Sequence, residues 1–343
     1  MALVSAPGKV YLIGEHAVVY GKPAIIAAVG LRTKVDIEDN NDIIYIDKAW
    51  PDIKHVWPIE KVYKITEKTA TLWRRCSKKS DFKELFNFVK MNNYENYRAS
   101  VLGIAMKELE IDSGFKLIID SAIPLGSGLG SSSSRAVAIT YALARYFGKE
   151  APLDRINEIA YEQEKIIHGT PSGGDNSTCC YGGLIWFKKS QPKNEIKSLR
   201  EEIPYELENF ILVNSGIPEK TTGELVQMVR NLDEKIRNPR IEQIGKMTYE
   251  MRDVLKKKDF DRMIEIINLT QKNLSELGLS TANIDKIYST VKEAGGAAKL
   301  CGAGGGGIVL CYHKNRLKLK KLITDIGFQP IETELGVEGV RRE

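Results

Sequence analysis

Apolar and polar positions alternate in short stretches near the start of the chain and give way to helical spacing further on. Residues 2–6 and 9–13 are apolar runs of strand length, broken at Pro7-Gly8. Residues 23–30 form a continuous Ala/Ile/Val run that suits either a strand or a buried helix, while 32–38 and Asp42–Asp47 alternate as half-buried strands do. The rest of 39–80 is mixed. Phe82, Leu85, Phe86 and Val89, then Val101, Ile104, Ala105 and Leu109, predict helix within 81–110. A strand over 114–120 leads into a glycine-rich loop, and a helix over 132–147 leaves it. Ile156, Ile159, Ala160 and Ile167 mark one face of a helix over 153–168. Strands are predicted at 181–188 and 209–214, long amphipathic helices within 222–277, and a helix at 283–294 that Gly295-Gly296 ends. Residues 297–312 hold a strand, a glycine run and the strand Ile308–Tyr312, followed by a basic helix at 315–326 and a strand at 328–334. The polar stretch Lys188–Ile203 is the expected boundary between two domains, 1–195 and 196–343.

Composition narrows the class. A chain of 343 residues with 43% hydrophobic and 28% charged residues suits about two globular domains. The net charge of +5 is spread along the chain, so a nucleic-acid partner is not implied. No apolar run reaches the roughly 18–20 residues of a membrane span, and the N-terminus lacks the basic-then-apolar pattern of a signal peptide. Cys76, Cys179, Cys180, Cys301 and Cys311 are odd in number and show no CxxC pair, which reads as reduced thiols in a cytoplasmic protein.

Three motifs carry chemistry. The first is Pro124-Leu125-Gly126-Ser127-Gly128-Leu129-Gly130-Ser131-Ser132-Ser133-Ser134. Its glycines let backbone N–H groups turn inward, and the helix that follows adds unpaired N–H groups and a positive dipole end, together a cradle for phosphates. The serines supply hydroxyl oxygens of the kind Mg²⁺ prefers. A Walker loop is excluded because no lysine follows Gly130. The second motif runs from Glu164 to Asn176 and offers two carboxylates, Glu164 at a helix end and Asp175 in a loop of small residues. Such a pair can divide phosphoryl transfer, one carboxylate holding Mg²⁺ and the other orienting or deprotonating the attacking hydroxyl. In the N-terminal segment, Lys9, Glu15 and His16 stand among apolar residues, where charge is costly unless it is used. The third motif is the glycine run Gly302–Gly307 between two strand-like segments.

In order and spacing, Ala6-Pro-Gly-Lys9 with Gly14-Glu-His16, the glycine/serine loop, Ile167-His-Gly-Thr-Pro-Ser-Gly-Gly-Asp-Asn176 and Lys299-Leu-Cys-Gly-Ala-Gly-Gly-Gly-Gly307 resemble the GHMP kinases, most of all the branch that acts on mevalonate. The resemblance spans residues 4 to about 312. It implies an α+β, two-domain fold: an N-terminal α/β domain with a left-handed βαβ unit, a C-terminal ferredoxin-like domain, and an active site in the cleft between them. It also implies transfer of a phosphoryl group from ATP to the C5 hydroxyl of mevalonate, with Mg²⁺, and it leaves a homodimer open. Carried over residue by residue, Asp175 is the catalytic carboxylate and Lys9 the cation beside it. Ser132 and Glu164 match the metal ligands. Glu15, His16, Ile167 and Thr222 match the mevalonate site together with Lys9 and Asp175, and Gly126 to Ser131 offer N–H groups to the phosphates. Lys22 is a further candidate cation at the acceptor end. Two positions depart from the family pattern: Arg135, which would reach a phosphate or face solvent, and Gly174, which would loosen its loop. The adenine pocket is expected in the 60–80 region.

Overall fold

The computed structural model describes residues 3–49, 53–124 and 126–343. Strands β1 (Val4–Ile13) and β2 (Pro23–Asp39) form a long antiparallel hairpin. They are followed by β3 (Ile43–Asp47), β4 (Ile53–Trp57), helices α1 (Ile59–Lys79) and α2 (Lys83–Glu108), and β5 (Phe115–Ser121). Helices α3 (Ser131–Tyr146), α4 (Leu153–His168) and α5 (Gly174–Tyr181) precede the hairpin of β6 (Leu184–Lys188) and β7 (Glu195–Ser198). The rest comprises β8 (Leu207–Asn214), α6 (Thr222–Arg230), α7 (Glu234–Lys257), α8 (Phe260–Glu276), α9 (Ala282–Glu293), β9 (Ala297–Leu300), β10 (Ile308–Tyr312), α10 (Arg316–Asp325), β11 (Pro330–Leu335) and β12 (Arg341–Arg342).

One sheet runs through the molecule in the order β4-β3-β5-β2-β11-β8-β10-β9. In its first part β3 and β5 are parallel, with α1 and α2 inside the crossover. In its last part β8, β9, β10 and β11 are antiparallel in the order β11-β8-β10-β9, with helices between β8 and β9 and between β10 and β11. That is the βαββαβ arrangement of a ferredoxin-like unit. The apolar residues form two cores. One gathers Leu12, Ile25 and Val29 with Leu212, Ile266 and Leu310, and the other gathers Val4, Ala6 and Val35 with Leu102, Leu117 and Ile139. The β1–β2 hairpin therefore feeds both.

Some elements differ from the sequence expectation, each for a local reason. The break expected at Pro7-Gly8 is a shift of register inside the single strand β1, since a bulge tolerates proline without ending the strand. Residues 23–30 and 32–38 are one strand, β2. Helix α1, unread in the mixed 39–80 region, hides only Val62, Thr66, Thr69, Leu72 and Cys76; two of these are threonines, which blur the apolar stripe. Thr66 satisfies its hydroxyl on the Val62 carbonyl at 2.8 Å. Helix α2 is interrupted at Met91–Tyr94, where Asn92, Asn93 and Tyr94 take φ values of 51°, 54° and 63°. The two-residue strand β12 gives too little pattern to read.

The last residues return to the first strands. Strand β12 pairs with β1, and β11 meets β2 at Leu335↔Val29. Arg32 fastens this return. It donates to the Ser5 hydroxyl at 2.5 Å and to the Glu338 and Gly339 carbonyls at 2.9 and 2.6 Å. Hydrogen bonds to a charged group contribute about 1.5–3 kcal/mol each, not additively. Replacing Arg32→Met is expected to lower unfolding free energy by about 2–4 kcal/mol, read as a shift of the urea midpoint at constant slope. A midpoint unchanged from the parent would mean that the return is held by strand pairing alone.

Candidate active site

The glycine/serine loop lies against β1. Gly126, Gly128 and Gly130 have φ values of 68°, 78° and 74°, which a residue with a Cβ rarely adopts. The Lys9 amide donates to the Leu129 carbonyl at 2.9 Å. A Cβ on Gly8 would stand 2.7 Å from that same oxygen, so glycine is what allows the approach. Ser134 adds a hydrogen bond to the Ala6 carbonyl at 2.8 Å. Helix α3 starts immediately after Gly130 and aims its first amides at the loop.

The loop faces a cavity of about 850 Å³ that also meets β1, α2, α4, α5, α6 and the 302–307 glycine run. Of the loop residues, Gly126, Ser127, Gly128, Gly130, Ser131 and Ser132 line it. Leu129, Ser133 and Ser134 are buried behind it, and Pro124 is exposed outside it. Leu125 lies outside the described residues.

Lys9 and Asp175 meet in this cavity, with Nζ and Oδ2 3.0 Å apart and Lys9 only 7% exposed. Asp175 sits in the first turn of α5 rather than in a loop. The helix is eight residues long and opens with glycine, too short and too polar to show a periodic stripe. Gly174 does not loosen it. A Cβ there would come within 2.9 Å of Ile26, so the glycine lets α5 pack tightly on β2.

Glu164, on α4, is 2% exposed. Its Oε2 accepts from Ser133 at 2.5 Å and from Ser132 at 3.3 Å, and His168 Nε2 is 3.4 Å away. Burial pushes its carboxyl above the usual range, and nearby Asp175 adds to that, against His168 and the two serines. Among the described residues only half-exposed His168 brings a basic group within 4 Å of it. The Ser132 hydroxyl and the Glu164 carboxylate are hard oxygen donors, and a buried carboxylate so short of positive charge suits a divalent cation.

At the other end, Glu15 and Lys299 form an ion pair in which neither side chain is more than 1% exposed. Lys299 also donates to the Tyr11 carbonyl at 3.2 Å. Burial pushes the Glu15 carboxyl up against the pull of Lys299; burial also works to lower Lys299, but Cys301 and Glu15 outweigh it. Glu15 keeps one oxygen, Oε2, buried and without a partner. His16, with φ 57°, holds the Ala303 carbonyl at 2.9 Å, and burial lowers its imidazole below the ordinary value. Ile167 and Thr222, the latter at the capped start of α6, also line the cavity.

The sequence reading missed Lys299, although a lysine in the middle of the apolar run 297–300 was a usable signal. It misplaced Lys22, and the geometry bears on two further expectations, the adenine region and Arg135. Lys22 pairs with Glu242 at 2.5 Å and is absent from the cavity wall. No residue of 60–80 lines the cavity; Tyr45, Tyr94 and Tyr97 do. Arg135 neither faces solvent nor reaches out alone. It is 8% exposed, lines the cavity, and is paired in two-pronged fashion with the fully buried Asp47. The five cysteines are free thiols.

The family models described as GHMP kinases N terminal domain and GHMP kinases C terminal match residues 96–183 and 251–328. The mevalonate kinase of Thermococcus sibiricus is 31% identical, with 99% of this chain and 98% of that protein covered. That of Pyrococcus furiosus is also 31% identical, at the same coverage. The crystal structure of the Methanococcus jannaschii mevalonate kinase superposes with a TM-score of 0.81 at 27% identity, covering 97% of this chain and 98% of that one.

Two outcomes follow for the region of Glu15 and His16. Lys299→Met leaves Glu15 buried without its cation and is expected to cost about 3–5 kcal/mol of stability, far more than the double replacement Lys299→Met/Glu15→Gln, by urea unfolding. Equal losses in the two would show that the pair is not the source. For His16, the folded value lies below the unfolded one, so its contribution is complete above about pH 6.5 and is lost as pH falls below that. Unfolding free energy should fall by at most about 1.4 kcal/mol per pH unit there, and the fall should be shallower in His16→Gln. Parallel curves for the two proteins would assign the acid loss to other groups.

Proposed function

The chain belongs to the GHMP kinases, in their mevalonate kinase branch, and on that premise we propose that its cleft moves the γ-phosphoryl group of ATP onto the C5 hydroxyl of mevalonate. The observation that carries this reading is the Lys9–Asp175 contact of 3.0 Å on the wall of the same cavity as the glycine loop. A carboxylate beside a fixed cation can accept a proton from an alcohol while the cation offsets charge on the transferring group.

The roles divide along the wall. Amides of Gly126 to Ser131 and the start of α3 receive the β- and γ-phosphates. The Ser132 hydroxyl and the Glu164 carboxylate would hold Mg²⁺, which when bound neutralises phosphate charge. At the acceptor end, the unpartnered Glu15 Oε2 is free to accept from a substrate hydroxyl, while Lys299 fixes its other oxygen. His16, Ile167 and Thr222 shape the surrounding wall. The C5 oxygen attacks the γ-phosphorus, the bond to the β-phosphate oxygen breaks, and ADP leaves. The hydroxyl proton goes to Asp175. Alignment supplies most of the acceleration, since phosphoryl transfer asks little covalent chemistry of the protein.

Asp175→Asn should keep nucleotide binding and lower kcat by at least about 10²-fold. A near-parental kcat would remove Asp175 from the chemistry. Ser132→Ala and Glu164→Gln should each raise the Mg²⁺ concentration needed for half-maximal rate more than they raise KM for mevalonate. A coupled assay of ADP release across mevalonate, phosphomevalonate and homoserine tests the substrate itself. Faster turnover of either of the last two would overturn the assignment.

A further inference from the structure

The cavity wall that carries Tyr45, Tyr94 and Tyr97 also carries two buried arginines. Arg135 on α3 and Arg98 on α2 are 8% and 6% exposed, and both line the cavity. Arg135 is neutralised by Asp47. Arg98 has no carboxylate within 4 Å among the described residues; its side chain donates only to the Asn93 carbonyl there. A buried guanidinium without a counter-charge is costly, so it is kept where something supplies that charge. Arg135 offers a further unmet donor, its buried Nε, which has no hydrogen-bond partner.

The position narrows the ligand. Arg98 shares the cavity wall with the glycine loop and sits on a helix packed against α3, which leaves that loop. Helix α2 packs on α4 and α3, and Gln163, the neighbour of Glu164 on α4, donates to the Val101 carbonyl at 2.8 Å, three residues past Arg98. Glu164 is in turn bonded to Ser132 of the glycine loop. The carbonyl that holds Arg98 belongs to the left-handed run Asn92–Tyr94, a conformation that residues with a side chain seldom adopt. That run places Tyr94 on the cavity wall and Asn93 against the guanidinium. The break in α2 thus parks a cation at the cavity edge on a neutral acceptor, which an anion readily displaces.

We propose that Arg98 contacts the phosphate chain of the bound nucleoside triphosphate from the α2 side of the cleft, facing the glycine loop, with the Asn93 carbonyl as its resting partner. This rests on the kinase reading above, and it adds a nucleotide contact from a helix that the three sequence motifs do not include.

The test is nucleotide binding alone, without acceptor, so that it is independent of which alcohol is phosphorylated. ATP, ADP, AMP and adenosine are titrated calorimetrically into the parent, Arg98→Gln and Arg98→Lys in the presence of Mg²⁺. Arg98→Gln should weaken ATP and ADP by about 10- to 30-fold, AMP by less, and adenosine by less than about twofold. Arg98→Lys should recover at least half of the logarithmic loss, and the slope of log Kd for ATP against log salt should be shallower in Arg98→Gln. Thermal midpoints monitor folding; if the Gln variant does not fold, Arg98→Lys carries the test through a loss for ATP that adenosine does not share. Unchanged ATP affinity, or an equal loss for adenosine and ATP, would overturn the proposal and leave Arg98 as a brace for the left-handed turn. Failure to phosphorylate mevalonate with intact, Arg98-dependent ATP binding would count against the substrate assignment and not against this contact.

Discussion

The amide of Lys9 donates to the carbonyl of Leu129, and that backbone contact of 2.9 Å joins the two motifs on which the cleft depends. It fixes the glycine loop against β1 at the residue whose side chain reaches Asp175. The backbone of Lys9 and the glycine loop are thereby set relative to each other by main chain, which has far less freedom than a long lysine side chain. Gly8 is the condition for it, since the carbonyl occupies the space of a Cβ. The docked loop is anchored from behind as well. Leu129 is 1% exposed and packs in the core, so the loop presents its amides on one side and is rooted in apolar packing on the other.

Around that contact the molecule is built as two cores that share a hairpin. The inner residues of β1 and β2 pack with the ferredoxin-like unit and the outer ones with the helices of the first half. Charges that would be prohibitive in a single core are affordable at the seam, because the cavity runs along it. Lys9, Glu15, Arg98, Arg135, Glu164 and Lys299 are all nine-tenths buried or more; all but Glu164 fall into pairs or face the cavity, and Glu164 is held by Ser132 and Ser133. Glu164 and Arg98 lack a strong partner of opposite charge among the described residues; Glu164 is bonded to Ser132 of the glycine loop, and Arg98 lines the same cavity as that loop.

How much of this was legible in the sequence depended on whether the signal was local. Helix α4 was readable over its full span, because its apolar face repeats at helical spacing. Lys9, Glu15 and His16 were readable as charges in an apolar segment, and the structure brings all three to one cavity. The helix around Asp175 was not, because glycine and short polar residues give no period. Of the two readings of Arg135, exposure to solvent fails because its partner, Asp47, sits on a different element; spacing along α3 could not reveal that pair. Tyr94 and Arg98 were hidden for another reason. Tyr94 ends a backbone break within α2 and Arg98 follows it by one turn, and an uninterrupted helical period would have turned Tyr94 elsewhere.

The strap formed by Arg32 and β12 bears on how the molecule assembles as well as on how stable it is. The β1–β2 hairpin pairs residues close in sequence, whereas Ser5 meets a partner 338 positions away. Closing so long a loop costs equilibrium stability only logarithmically, but contacts of this kind slow the search for the native topology. Helices and the local hairpin can form first, while β11 and β12 must wait for both halves of the sheet. Since β1 carries Lys9 and is flanked by that late-arriving strand, the cleft takes its final shape near the end of folding, and ligand-binding competence is among the last properties the chain acquires.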